Sequence, residues 1–216
     1  MFKEDIYFCP YCGIKTNNSI CCEICSNELK KFVNKNIGST EFCDAFTAPF
    51  VYEDIVRDAV HNFKFEKRRN YCESFGYFMA SCDLFYSDMI ISVPSFNNKK
   101  KYNTSDLLAK YMSKLLNIRY QRHAVSKIRD TKFQHECDFS KRLSNLNDCF
   151  SASPKKLNNL NILICDDIIT SGSTIDEVAK ACKKSGARNV YAVAFAVSNG
   201  AFAECYSGGK NWDVKF

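Results

Sequence analysis

The stretch from Asn161 to Thr174, NILICDDIITSGST, constrains the fold of this chain more than any other part of the sequence. Residues 161–165 are mostly apolar, and a short apolar run of this kind is typical of a strand buried in a parallel sheet. Two carboxylates follow the run, and a loop rich in hydroxyl groups comes after them. The sequence therefore predicts a parallel α/β sheet with polar side chains at the carboxyl end of a strand, where such sheets place their ligands.

A helix is predicted directly behind the loop. Thr174 and Glu177 have the T-x-x-E spacing of a capping box, in which each side chain accepts a hydrogen bond from the other residue's backbone amide. Apolar residues then recur on one helical face, and the pattern ends near Gly186.

The residue types between the strand and the helix indicate a ligand. The hydroxyl loop comprises Thr170, Ser171, Gly172, Ser173 and Thr174. Gly172 permits close approach of the backbone, and hydroxyls beside a helix N-terminus suit a phosphate dianion. Asp166 and Asp167, the acid pair, offer acceptors for a vicinal diol and can help to hold a hydrated magnesium ion. The alternative is a strand that simply ends in a polar turn, but the complete string favours a ribose phosphate.

The string resembles the phosphoribosyl pyrophosphate (PRPP) signature of type I phosphoribosyltransferases. The resemblance implies that the acid pair holds the ribose hydroxyls and that the hydroxyl loop, Thr170–Thr174, holds the 5-phosphate, with magnesium bound alongside PRPP. Hypoxanthine-type members of that family carry a third aspartate where this chain has Thr170. The resemblance therefore argues against a hypoxanthine or guanine salvage enzyme.

Paired cysteines near the start of the chain indicate a metal site. Cys9 and Cys12 form one C-x-x-C pair and Cys22 and Cys25 another, with nine residues between the pairs. This spacing is typical of a closed, structural four-thiolate zinc site, and it favours metal over a redox pair. Cys21 competes with Cys22 as the third ligand. So small a module buries little core, and the metal would supply its folding energy.

Composition sets broad limits on the class of protein. The chain has 216 residues with a net charge of +6, which permits anionic partners without requiring them. No run approaches the roughly 18 apolar residues of a membrane span, and no signal peptide precedes the first cysteines. Thirteen cysteines, most of them scattered singly, favour a reducing cytoplasm.

Periodicity predicts the other elements of the domain. They are helices over 53–65 and 70–82, strands over 89–93 and 188–197, and a helix that begins near Asn103.

Two basic segments are possible anion-binding elements. The basic turn, Lys64–Arg69, combines cations with Phe65, as in surfaces that bind single-stranded nucleic acid. Lys99, Lys100 and Lys101 follow the strand over 89–93, where a pyrophosphate would need cations, and Lys100 is assigned to the PRPP site. Solvated surface turns are the alternative for both segments.

Over nearly its full length the chain resembles the ComF family of bacterial competence proteins, which includes ComFC and GntX-like relatives. The matching features are the four-cysteine module, Lys64-Phe65 at the end of the first long helix, Val93-Pro94, Arg129, Thr131 and Gln134 in an R-x-T-x-x-Q pattern, and Arg142, Asn145 and Phe150. The resemblance implies a cytoplasmic factor that handles incoming single-stranded DNA during natural transformation, with a DNA-uptake helicase or other competence proteins as partners.

One motif departs from the family pattern. Where relatives have Arg-Gly-Phe-Asn-Gln, this chain has the residues 100–104, of which only Asn103 matches. Lysine keeps the charge of arginine but not its planar, two-pronged donor, so the contacts of this loop are altered.

The predicted fold is a zinc-finger module over residues 1–40, here called the cysteine module, followed by a type I phosphoribosyltransferase-like α/β domain over 41–216 with a mostly parallel sheet. Two other functions stay open. One is an active phosphoribosyltransferase that transfers the ribose phosphate of PRPP to a base or another acceptor. The other is a PRPP-sensing regulator without turnover.

Overall fold

The computed structural model describes residues 7–82, 85–95, 103–129 and 148–199. The strands are β1 (Tyr7–Phe8), β2 (Lys15–Thr16), β3 (Ala45–Thr47), β4 (Phe50–Val51), β5 (Met89–Ser92), β6 (Arg119–Tyr120), β7 (Val125–Lys127), β8 (Phe150–Ala152), β9 (Asn161–Ile169) and β10 (Asn189–Val197). The α-helices are α1 (Glu23–Leu29), α2 (Asp54–Lys64), α3 (Tyr71–Ala80), α4 (Thr104–Leu116), α5 (Pro154–Leu157) and α6 (Ser173–Lys184), and Lys30–Phe32 form a 3-10 turn.

A parallel sheet forms the centre of the molecule, as predicted. Its order within the described residues is β3-β10-β9-β5-β6, and β4 also pairs with β10. Each of these pairings is parallel. The two long apolar strands, β9 and β10, lie side by side in the middle, where both faces of a sheet are covered.

Both faces of the sheet carry an apolar core. Ile162 and Ile164 of β9 pack on the face covered by α6, together with Ile175 and Val178 of that helix. Leu163 and Cys165 point to the opposite face, which α2, α3 and α4 cover. This alternation follows from the two-residue repeat of a strand and places the carboxyl end of β9 between the two layers.

Two local predictions around β9 were wrong. The strand does not end at Cys165 but continues to Ile169, so the acid pair lies within it. The capping box is also absent: Gly172, with a φ of 76°, is the residue before α6, and no side chain caps this helix. Thr174 lies inside the helix, and the Glu177 carboxylate instead accepts from the amide of Asp148 at 2.9 Å.

The cysteine module packs against the α/β domain. Leu29 of α1 is fully buried in the same core as α2 and α3. Farther along the chain, Val33 bridges to Phe50 and Gly38 bridges to Phe46. The boundary near residue 40 stays a prediction.

Within the ranges that the structure describes, no helix combines the length and the apolar character that crossing a bilayer requires.

Candidate functional site

The acid pair occupies the part of β9 that extends beyond its neighbour β5. The last β5 residue, Ser92, lies opposite Cys165, whereas pairing with β10 continues to Ile169. From Asp166 onward, this edge of β9 therefore has no β5 strand beside it. The N-terminus of α4 fills the position instead, which explains how a helix distant in sequence reaches the two carboxylates.

Asp167 is almost completely enclosed and is held by two partners. Its side chain is 3% exposed, and the Lys64 Nζ lies 2.6 Å from its Oδ1. The hydroxyl of Thr104 donates to its other oxygen, Oδ2. Burial acts to lower the pKa of Lys64, but the charges of Asp167 and Asp166 outweigh burial and raise it above its usual value. Lys64 therefore stays charged and serves as the counter-ion of the buried carboxylate.

Asp166 lies in a different electrostatic environment. Ser105 Oγ donates to its Oδ1 at 2.7 Å, and the Asp167 amide donates to the same oxygen at 2.9 Å. Burial, and next the charge of Asp167, raise the pKa of Asp166 to about 7, against the opposing effects of Lys64 and Ser105. Within the acid pair, Asp167 is thus paired with a cation, whereas the pKa of Asp166 is raised to about 7.

The start of α4 is fixed by Asn103. Its side-chain oxygen accepts from the amide of Asp106 at 3.3 Å, as expected of an N-cap residue, and its side-chain nitrogen donates to the Val93 carbonyl at 3.4 Å. This confirms the predicted helix start. The cap holds Thr104 and Ser105 against the acid pair.

The lysines predicted to hold pyrophosphate cannot be placed. Lys100, assigned to the PRPP site, and its neighbours Lys99 and Lys101 lie outside the described residues.

The hydroxyl loop follows β9 and leads into α6. Thr170 and Ser171 are exposed, Ser173 and Thr174 are half-buried, and the Ser171 and Ser173 hydroxyls lie 2.9 Å apart. Gly172 has a left-handed backbone that a residue with a Cβ adopts only with strain. The residue before α6, Gly172, has no side chain to cap the helix, and the Ser173 amide makes one long contact of 3.5 Å with the Ser171 Oγ. This end of the helix can therefore receive an anion.

A segment from the end of the cysteine module forms one wall of the loop. The Thr40 hydroxyl and the Phe42 amide both donate to the Asp176 carboxylate in the first turn of α6. A Cβ added at Gly172 would lie 3.2 Å from the Thr40 methyl group. A side chain at this position would therefore require the Thr40 methyl group to shift by a few tenths of an ångström, in addition to the strain of the left-handed backbone.

The donor set fits the ligand that the sequence predicts. Carboxylate and hydroxyl oxygens are the hard ligands that Mg²⁺ prefers, and the acid pair also supplies acceptors for hydroxyl groups. The hydroxyl loop and the helix N-terminus supply donors for a phosphate. At the carboxyl end of β9, the acceptors of the acid pair are thus followed by the donors of the hydroxyl loop and the start of α6.

The four predicted metal ligands also come together. The sulfur atoms of Cys9, Cys12, Cys22 and Cys25 all lie within 4.8 Å of one another, and those of Cys12 and Cys22 are 3.6 Å apart. Tetrahedral zinc with bonds of about 2.3 Å places its sulfurs about 3.8 Å apart, so the spacing fits such an ion. The group includes Cys22 and not Cys21. Cys22 precedes α1, and its sulfur accepts from the Cys25 amide.

The basic turn adjoins the acid pair. Phe65 is 66% exposed, its ring centroid lies 4.8 Å from that of His61, and Lys67, Arg68 and Arg69 are exposed beside it. Lys64, at the start of this turn, contacts Asp167 and so joins the turn to the acid pair.

Three side chains of the site were missed in the sequence. Lys64 was interpreted as part of a DNA-binding or solvated turn, and neither Thr104 nor Ser105 was assigned a role. Each reaches the acid pair from a helix at least 60 residues away, as the pairs Lys64–Asp167 and Ser105–Asp166 illustrate. The sequence indicates that Lys64 lies at the end of one helix and Thr104 at the start of another. It does not indicate which strand each of them faces.

Comparisons with known proteins identify relatives of the chain. It is 25% identical over 200 residues to the DNA utilization protein YhgH of Escherichia coli O6:H1, covering 87% of this chain and 83% of that protein. It is 30% identical over 108 residues to Competence protein F of Haemophilus influenzae, covering 48% of this chain and 47% of that protein. No protein-family model matches the chain.

Two solved structures resemble the fold at low identity. A glutamine PRPP amidotransferase from B. subtilis, complexed with ADP and GMP, is 16% identical with a TM-score of 0.43, covering 58% of this chain and 26% of that one. An adenine phosphoribosyltransferase from Thermoanaerobacter pseudethanolicus is 17% identical with a TM-score of 0.37, covering 80% of this chain and 84% of that one.

The parallel sheet, with the acid pair near the carboxyl end of β9 and the hydroxyl loop before α6, has the arrangement that the resemblance to type I phosphoribosyltransferases implies. The cysteine module, together with the similarity to YhgH and Competence protein F, supports the resemblance to the ComF family.

Proposed function

We propose that this protein binds PRPP with magnesium at the acid pair and the hydroxyl loop, and that it handles single-stranded DNA in the cytoplasm during natural transformation. The names of its relatives, DNA utilization protein and Competence protein F, support a role in competence. A DNA-uptake helicase or another competence protein is the expected kind of partner.

One observation carries the PRPP assignment: acceptors and donors stand next to each other at the carboxyl end of β9. The hydroxyls and amides of Thr170–Thr174 would hold the 5-phosphate at the start of α6. Asp166 and Asp167 would accept hydrogen bonds from the ribose hydroxyls. Magnesium, when bound, would neutralise charge on the pyrophosphate. Thr104 and Ser105 orient the two carboxylates.

Zinc is the metal we assign to the cysteine module. Four closely spaced sulfurs leave no open coordination position, so the ion would be structural. It would hold together the two short strands β1 and β2 and the start of α1, which otherwise enclose very little apolar surface.

The basic turn is the surface we assign to DNA. An exposed aromatic ring beside three exposed cations suits a strand whose phosphates are neutralised and whose bases stack. Binding of this kind is set by charge and tolerates changes of base sequence.

Titration calorimetry of PRPP with magnesium tests the first assignment. Wild-type protein should bind, and Asp167→Asn should bind about tenfold or more weakly, because the loss of a charge-assisted acceptor amounts to roughly 1.5–3 kcal/mol. Asp148→Asn is the matched control, since Asp148 is an exposed carboxylate paired with Lys184 on the far part of α6. Equal affinity in Asp167→Asn and wild type would refute the assignment.

Fluorescence anisotropy with labelled oligonucleotides tests the DNA assignment. Combined Lys67→Ala, Arg68→Ala and Arg69→Ala changes should reduce the slope of log affinity against log salt by about 2, given about 0.7 per phosphate contact on a single strand. The control replaces Lys155 and Lys156, exposed lysines of α5, with alanine. An unchanged slope in the first variant, or no binding at low salt by the wild type, would count against a DNA role.

A second candidate function, an active phosphoribosyltransferase, is favoured by the pKa of Asp166. A carboxyl that titrates near 7 is suited to exchange a proton at neutral pH. Release of pyrophosphate from PRPP in the presence of a base or another acceptor distinguishes turnover from binding alone. Pyrophosphate release that Asp166→Asn abolishes would establish the enzyme, and its absence with tight PRPP binding would favour a DNA-handling or PRPP-sensing protein.

A further inference from the structure

We infer that Lys64 makes the acid pair selective for magnesium that arrives with an anionic ligand, and that it opposes binding of the bare metal ion. The inference rests on the proposed function, because it takes the acid pair as part of a magnesium and ribose phosphate site. It assigns to Lys64 a role in specificity that differs from neutralising DNA.

The ammonium group of Lys64 lies directly against the acid pair. Lys64 Nζ lies 2.6 Å from Asp167 Oδ1, while Thr104 donates to Oδ2. Ser105 and the Asp167 amide both donate to the Asp166 Oδ1. Three of these four carboxylate oxygen contacts come from neutral donors, so Lys64 is the contact that contributes charge.

The positive charge of Lys64 acts differently on a bare metal ion and on an anionic complex. A divalent ion that binds the acid pair beside Lys64 is repelled by a charge already in place, and burial of Asp167 weakens the screening of that repulsion. PRPP brings several negative charges with the metal. Lys64 therefore attracts the anionic complex of PRPP with magnesium, whereas it repels the bare metal ion.

The position of the Lys64 side chain allows it to change partners. Lys64 is the last residue of α2, and its side chain is 32% exposed although its partner is only 3% exposed. A flexible four-carbon stem at a helix end can transfer its ammonium group to a ligand phosphate without movement of the helix. A purely structural ion pair would not require a position at the edge of the ligand site.

Binding of bare Mn²⁺, followed by electron paramagnetic resonance of the free ion at pH 8, tests the inference on the full chain with its native metal retained. Wild-type protein should bind Mn²⁺ weakly, and Lys64→Met should bind it at least tenfold more tightly. Lys155→Met, which removes an exposed lysine of α5, should bind Mn²⁺ as wild type does. Adding Asp167→Asn to Lys64→Met should abolish the gain.

Binding of the anionic ligand, PRPP with magnesium, completes the test. Calorimetry with PRPP and magnesium should show Lys64→Met binding at least fivefold more weakly than wild type, whereas Lys64→Arg should resemble wild type with both probes. If the methionine variant does not fold, Lys64→Gln replaces it, because its amide keeps a hydrogen bond to Asp167 without the charge.

Unchanged or weaker Mn²⁺ binding in the folded neutral variant would overturn the inference. That result is distinct from failure of the proposed function, which would appear as a wild-type protein that does not bind PRPP with magnesium.

Discussion

The hydroxyl of Tyr11 and the Oγ of Ser74 lie 2.8 Å apart and share a hydrogen bond, although 63 residues separate them in the chain. Tyr11 stands between Cys9 and Cys12 of the first C-x-x-C pair. Its ring also meets the Tyr71 ring edge-on, with centroids 5.4 Å apart. Burial raises the pKa of Tyr11 well above its usual value. One side chain of the cysteine module is thereby anchored on α3 of the α/β domain.

This contact predicts an energetic coupling between the two parts. Tyr11→Phe and Ser74→Ala should each lower the free energy of unfolding by about 1 kcal/mol. Each change removes one hydroxyl and leaves the other hydroxyl of the pair without this hydrogen bond. The double variant should be less destabilised than the sum of the two, as measured by urea unfolding. Strictly additive effects would show that the hydrogen bond contributes nothing.

The cysteine module should contain about one zinc ion per chain. Cys9→Ser and Cys25→Ser should lose the metal and the folding of the module, since ion binding supplies its stability. Metal analysis by plasma mass spectrometry measures the content. Cys21→Ser is the control and should keep its zinc, because Cys21 is outside the sulfur cluster. A well-folded protein purified without metal would contradict this prediction.

Gly172 should tolerate no larger residue. Gly172→Ala forces a Cβ into a left-handed conformation and places it 3.2 Å from the Thr40 methyl group. We expect a loss of about 1–2 kcal/mol in the free energy of unfolding from the backbone alone, together with weaker PRPP binding. Gly13→Ala has a similar φ of 77° but nothing within 4 Å of the added Cβ. It should lose comparable stability and retain PRPP binding, and equal binding by the two variants would count against close backbone approach at Gly172.

Asp166 should make the stability of the protein depend on pH. Its pKa is raised to about 7 in the fold, by burial first and then by the charge of Asp167, so the folded state binds this proton more tightly than the unfolded chain. The stability from this group is therefore present at low pH and is lost as the pH rises from about 4 through about 7. Asp166→Asn should be more stable than wild type at pH 8, by on the order of 1–2 kcal/mol, with a smaller difference at pH 5.

Urea unfolding at the two pH values, without added magnesium, measures the effect. Asp148→Asn provides a control of opposite sign, since hydrogen bonding to Lys184 lowers the pKa of Asp148. That variant should gain no stability at pH 8. An Asp166→Asn variant that is less stable than wild type at pH 8 would contradict the burial argument.

The parts of the site that the sequence predicted are those encoded by neighbouring residues. The acid pair, the hydroxyl loop and the helix behind it form one continuous string, so their order along the chain fixes their order in space. The capping box failed because Gly172, with its left-handed backbone, takes the position before the helix and leaves Thr174 inside it. The predicted strand is too short because its apolar run ends at Cys165, whereas the strand continues through Asp166 and Asp167 to Ile169.

Contacts between distant segments were beyond the sequence. Lys64 reaches Asp167 from the end of α2, and Thr104 reaches it from the start of α4, which lies beyond the last β5 residue that pairs with β9. Nothing in the periodicity of α2 states that its last residue faces a carboxylate. The four cysteines, in contrast, were predictable because metal binding by paired C-x-x-C units is itself a property of spacing.

A crystal structure of the protein with PRPP and magnesium tests the central claim most directly. The account predicts the 5-phosphate at the hydroxyl loop against the amides at the start of α6, and the ribose hydroxyls on Asp166 and Asp167. Lys64 should have turned from Asp167 toward the ligand. A ligand bound elsewhere, or one whose ribose avoids the acid pair, would contradict the account.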